Sequence, residues 1–291
     1  MQRPKSPPID RNYRKPRLHL PPGACDTHFH FIGPQSQFPL MPDHVFSHLE
    51  FEDTTIEDWL VMQDGLGLTR GVLVQSMMYG HNYELALHGL SRFPDRLRAV
   101  IAPWPGITDR ELEILTKAGV VGARFAARLD PALDERMIHR VHEFGWSANY
   151  LGIGENRRKT ILASPGRFVI ERAGHVPPGQ GTDSAAFKFL LQCLDTGRCW
   201  IKLNPRFSAQ ETFPFSDIAA IIRRLVAHAP NRLVWCTDWP HPQYFRPMPN
   251  DADLVDIMGE WVPDEATRNR IFADNPAELY NFPPAGSGGG R

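Results

Sequence analysis

Ala24-Cys25-Asp26-Thr27-His28-Phe29-His30-Phe31 is the stretch on whose reading the fold turns. It is a short β-rich run, and residues two apart on a strand share a face, so His28 and His30 project to the same side. Seven more such runs follow, at 71–76, 97–102, 122–126, 147–153, 167–172, 199–204 and 233–238. Between them lie stretches of helical period at 56–66, 83–92, 108–118, 133–144, 183–195 and 216–228. A short, weakly helical segment occupies 155–163, and further helices near 252–260 and 264–280 close the pattern. Strands alternating with helices imply parallel βαβ units. Eight of them predict a single α/β domain, a (β/α)8 TIM barrel, with a doubly wound sheet as the alternative. Barrels of this kind carry their functional groups at the C-terminal ends of the strands.

The barrel is assigned to 23–282. Residues 1–22, rich in Pro, Arg and Lys, are read as an extended N-terminal arm, and 283–291, rich in Gly and Ser, as a flexible tail. With 42% hydrophobic and 22% charged residues, the 291-residue chain has the apolar content for a large core. Its net charge of −1 gives no reason for a nucleic-acid or membrane partner. No run of about 18 apolar residues is present to span a membrane. The start, MQRPKSPPIDRNYRKPR, lacks the apolar core of a secretory leader, so a cytoplasmic location is expected. Cys25, Cys193, Cys199 and Cys236 form no CxxC pair and are read as buried free thiols. The arm is long enough to reach a neighbouring subunit, which leaves a homo-oligomer open.

The eighth run ends Cys236-Thr237-Asp238-Trp239-Pro240-His241. In a closed barrel strands one and eight are neighbours, which sets Asp238 beside His28 and His30. The other strand ends add Ser76, Arg124 with Arg128, Tyr150, then Glu171-Arg172 with His175, and Lys202, Asn204 and Arg206. Glu171 is placed to neutralise Arg172. Several cations at one barrel mouth in a near-neutral protein point to a small anionic substrate. His81 and His241 stand between loop and site roles. His44, His48, His88, His139, His142 and His228 are read as surface residues, and Met77-Met78-Tyr79 as apolar pocket wall.

The segments Pro21–Pro34, Gln37-Phe38-Pro39, Val74-Gln75, Gly122-Ala123-Arg124-Phe125 and Thr237–Pro242 resemble the 2-pyrone-4,6-dicarboxylate lactonases of the amidohydrolase superfamily. The resemblance runs from about 17 to 282. It implies hydrolysis of a cyclic ester without a metal, with Asp238 as general base on water and His28 and His30 polarising the carbonyl. It also implies carboxylate binding by Arg124, Arg128 and Arg206, with Tyr150 lining the pocket. The chain departs from the pattern where such members carry Asp-His-x-Gly: here Glu171-Arg172-Ala173-Gly174 stands, so Arg172 replaces a histidine. His175 stands where the lactonases carry an arginine, and Phe46 where they carry a tyrosine.

These departures bear on cofactors. His28, His30 and Asp238 can supply three zinc ligands. A guanidinium at 172 opposes a dication, and strand five offers no lysine or histidine to bridge a second one. The expectation is therefore no cofactor, with one Zn2+ as the alternative. In catalysis the developing charge is assigned to His28, His30 and His175 or Arg172. Substrate binding is assigned to Arg124, Arg128, Tyr150, Arg172, Lys202, Arg206, Ser76 and His241. The competing readings are a sugar or muconolactone lactonase, a zinc-dependent decarboxylase or hydratase, and a non-catalytic barrel that binds a carboxylated metabolite.

Overall fold

The computed structural model describes residues 3–126, 134–205 and 209–283. Eight parallel strands stand in sequence order. They are β1 (Cys25–Phe29), β2 (Arg70–Val74), β3 (Leu97–Ile101), β4 (Val120–Ala126), β5 (Ser147–Leu151), β6 (Phe168–Ile170), β7 (Cys199–Leu203) and β8 (Leu233–Trp235). Seven helices connect them: α1 (Ile56–Leu66), α2 (Glu84–Arg92), α3 (Asp109–Ala118), α4 (Glu135–Glu143), α5 (Glu155–Leu162), α6 (Ala185–Asp195) and α7 (Ala219–His228). This is the (β/α)8 barrel that the alternation predicts. The weakly helical 155–163 segment forms a full helix, α5.

Local chemistry sets the helix ends. Thr55 and Thr108 form capping boxes with Asp58 and Glu111, which satisfies backbone N–H groups at the first turns of α1 and α3. Gly67 and Gly119 stop the same helices in the left-handed conformation, at φ 77° and 107°.

The strands separate two apolar layers. Phe29, Leu73, Ile101, Phe125, Tyr150, Ile170 and Trp235 pack outward against the helices. Val72, Val74, Val100, Val169, Trp200 and Val234 fill the barrel interior. Leu279, Tyr280 and Phe282 join this inner group as a plug from the C-terminal helical segment. The register of β1 shifts between Asp26 and Phe29. Cys25 and Phe29, four apart, consequently fall in opposite layers.

The closure between β1 and β8 matters most for function. Asp238 N donates to His28 O at 2.8 Å, and His30 N donates to Trp239 O at 2.8 Å. The residues that complete the barrel wall are thus those singled out for chemistry. The N-terminal arm lies along its own barrel. Arg11 pairs with Asp58, Arg14 with Asp253 and Asp256, and Tyr13 accepts from Trp239 Nε1. The tail from 284 onward lies outside the described residues. No described helix is long and apolar enough to cross a membrane.

Candidate active site

His28, His30 and Asp238 converge at the C-terminal mouth, each at least 96% buried. His28 Nε2 lies 3.3 Å from His30 Nε2, and Asp238 Oδ1 lies 3.5 Å from the first and 3.2 Å from the second. His30 Nδ1 sits 2.6 Å from Val74 O, a carbonyl that requires the proton on Nδ1 and leaves Nε2 bare in the neutral ring. His28 Nδ1 faces Lys202 Nζ at 3.4 Å. Burial first, then the Lys202 charge, holds the His28 pKa well below its ordinary value. Burial also lowers that of His30, so both rings are neutral at neutral pH. Beneath them Asp26 binds Thr237 through the backbone N–H and the hydroxyl, and burial pushes its carboxyl up to about 7.

Tetrahedral zinc with bonds of about 2.0 Å sets its ligands about 3.3 Å apart. The three donor atoms match that spacing, and among the described residues no other trio of His, Cys, Asp or Glu is close enough to share an ion. The donor set therefore fits one divalent metal.

Strand six ends earlier than its sequence suggests. β6 stops at Ile170, and Glu171–His175 forms a 3-10 turn. Glu171, fully buried, receives Arg124 Nε and Nη2 at 3.1 and 2.8 Å. The expected Glu171–Arg172 neutralisation is thereby corrected: neighbouring residues leave the turn in different directions, and Arg172 Nη2 donates to Asp238 Oδ2 at 2.9 Å. Burial opposes ionisation of Glu171, but Arg124 and Lys202 outweigh it and hold its carboxyl below the usual range.

Two further assignments need correction. Tyr150 does not line the mouth: it lies in the outer layer against Phe125 and Phe168, its hydroxyl 2.6 Å from Ser164 Oγ. The alternation of β5 gives the inward position to Asn149 instead. Lys202 is completely buried and donates to Thr27 O at 2.8 Å, so it braces the imidazole pair from below rather than meeting a substrate. Ser76 caps the turn Met77–Tyr79 by accepting from Met78 N.

A cavity of about 390 Å3 opens beyond β2, β3 and β4, lined by Gly80, His81, Ala102, Arg124, Phe125 and Met137. It is large enough for a small cyclic ester. His81 faces it with Nδ1 bonded to Ala102 O at 2.9 Å. His241 pairs with Asp251 at 2.8 Å beside a second cavity of about 260 Å3 under the N-terminal arm. No sequence signal links His241 to Asp251, since the pair depends on the path of the intervening loop. Arg128 and Arg206 lie outside the described residues, as does the side chain of His175. Phe46 is buried with Ile32, Leu49, Phe51 and Met78.

A parallel barrel that closes through the backbone of β1 and the segment after β8, with two imidazoles and a carboxylate converging at its mouth, defines the class of fold and site. The amidohydrolase family model matches residues 25–282, and the chain belongs to that family. It is 32% identical over 280 residues to 4-sulfomuconolactone hydrolase of Hydrogenophaga intermedia, covering 91% of this chain and 90% of that one. It is 29% identical over 288 residues to 2-pyrone-4,6-dicarboxylate hydrolase of Comamonas testosteroni, covering 92% and 93%. An apo crystal structure from Agrobacterium tumefaciens superposes with a TM-score of 0.80 at 28% identity, covering 92% and 99%. These relatives agree with the resemblance read from the sequence.

Proposed function

We propose that the protein hydrolyses a lactone bearing acidic groups, of the 2-pyrone-4,6-dicarboxylate kind, without needing a metal. The observation that carries this reading is Asp238 Oδ1 held within 3.5 Å of both imidazole Nε2 atoms at the mouth. The two relatives act, by their names, on a sulfonated lactone and on a pyrone dicarboxylate, which supports an anionic cyclic ester.

In this mechanism Asp238 takes a proton from water as the oxygen attacks the lactone carbonyl carbon. The bare Nε2 of His30, 3.2 Å from Oδ1, accepts the other hydrogen and orients the water. Lys202 faces His28 Nδ1, so His28 carries its proton on Nε2 and donates it to the oxyanion. Collapse of the tetrahedral intermediate breaks the ring C–O bond, and the proton taken by Asp238 passes to the departing ring oxygen, which restores the carboxylate. Glu171 engages Nε and Nη2 of Arg124, which presents Nη1 to a carboxylate in the cavity. Arg172 already supplies a positive charge to Asp238, which supports metal-free chemistry.

The spacing of the three donor atoms favours a second reading. A zinc ion held by His28, His30 and Asp238 would supply a Lewis acid for the carbonyl and a more acidic water. We place the activity in the cytoplasm, where four buried free cysteines suit a reducing compartment.

The test is ultraviolet-monitored hydrolysis of 2-pyrone-4,6-dicarboxylate and 4-sulfomuconolactone, with metal content measured before and after chelation. Turnover by metal-free enzyme supports the first reading, and turnover only with stoichiometric zinc supports the second. Failure to open either lactone under both conditions overturns both readings.

A further inference from the structure

Both partners of the Arg172–Asp238 ion pair sit on unusual backbone. Arg172 has φ 55°, Ala173 beside it φ 45°, and Asp238 φ 66°. A residue with a Cβ is disfavoured in the left-handed region and persists there when its surroundings fix it. The turn is fixed from within by Glu171, whose carboxylate is locked on Arg124 below. Arg172 is thereby aimed across the mouth, its side chain 14% exposed, and its Nη2 reaches Asp238 Oδ2 at 2.9 Å. With Oδ2 so engaged, Oδ1 is the oxygen that meets His28 and His30.

We propose that Arg172 is a positioning residue for Asp238, rather than a substrate ligand: its guanidinium sets the rotation of the carboxylate and so chooses the oxygen that takes the proton. The inference rests on Asp238 being the base. The donor that carries it points at the carboxylate, and a charge-assisted bond between an arginine and a buried carboxylate is short and directional. Loss of the guanidinium removes the charge-assisted bond from Oδ2 and shifts the carboxylate relative to the imidazole pair. A misplacement of about 1 Å costs on the order of a hundredfold in rate without weakening substrate binding.

The experiment compares Arg172→Gln, Arg172→Lys and Asp238→Asn on 2-pyrone-4,6-dicarboxylate and 4-sulfomuconolactone, with thermal melting as the check on folding. Arg172→Gln is expected to lose on the order of a hundredfold in kcat with KM little changed. Arg172→Lys, which keeps the charge, is expected to regain part of that loss. A rise in KM with kcat intact makes Arg172 a substrate ligand and overturns the proposal, as does an unchanged Arg172→Gln. An active Asp238→Asn variant overturns the base assignment and the proposal with it. Inactive Asp238→Asn beside normal Arg172→Gln overturns the positioning role alone. A crystal structure of Arg172→Gln is the readout that needs no turnover: Asp238 rotated off the imidazoles supports the proposal, and Asp238 unmoved overturns it.

Discussion

Substituting Glu171→Gln keeps the shape of the side chain and removes its charge, which strands Arg124 in the barrel. The Arg124 side chain is 3% exposed and that of Glu171 0%, with their closest atoms 2.8 Å apart. Charge centres about 4 Å apart, at an effective dielectric of about 20, attract by about 4 kcal/mol. Breaking one side of a buried pair typically costs about 3–5 kcal/mol, in agreement with that figure. At roughly 2–4 °C per kcal/mol for a chain near this size, Tm falls by about 10 °C. The assay is urea denaturation of Glu171→Gln, Arg124→Met and the double variant. Each single variant loses the full amount, and the double variant loses much less than their sum, because the Arg124 and Glu171 charges are then removed together. Additive losses, or a single-variant loss below about 1 kcal/mol, refute the assignment of a buried pair in which each member neutralises the other.

Tyr150→Phe removes one buried hydrogen bond to Ser164 and is expected to cost about 1 kcal/mol in urea melts, with kcat and KM unchanged; a raised KM returns Tyr150 to the substrate pocket. Thr237→Val strips Asp26 of its hydroxyl partner and is expected to cost about 1–3 kcal/mol, read by the same melts. Half-buried His142 has its pKa lowered chiefly by burial, so the unfolded chain binds the proton more readily. Its contribution to stability is complete above the unfolded value of about 6.5 and is lost as pH falls below it. His142→Gln should therefore lose less Tm than the native protein between about pH 7 and about pH 5; equal losses count against it.

The fold was legible because strand and helix periods differ, and every predicted strand overlaps an observed one. The trio at the mouth was legible because two histidines two apart declare a shared face, and barrel closure supplies their neighbour. Tyr150 was misjudged because a strand end read two residues long hides which side of the alternation faces inward. Lys202 was misjudged because depth along a strand is invisible in sequence: one step lower, a cation becomes a brace. The Glu171–Arg124 and Arg172–Asp238 pairs depend on two consecutive left-handed residues, neither of them glycine, and no local signal announces that turn. His44, read as a surface residue, is buried against Phe51.

Leu279, Tyr280 and Phe282 complete the inner barrel layer although they are synthesised after every strand that surrounds them. During translation all eight strands can emerge and pair while the centre of the barrel still lacks its stopper. A solvent-filled throat is then lined by Val72, Val74, Val100, Val169 and Val234, an adhesive surface for any other nascent chain nearby. Full protection of this interior comes only once Leu279, Tyr280 and Phe282 have emerged, so a chain cut short before Leu279 exposes the same throat permanently.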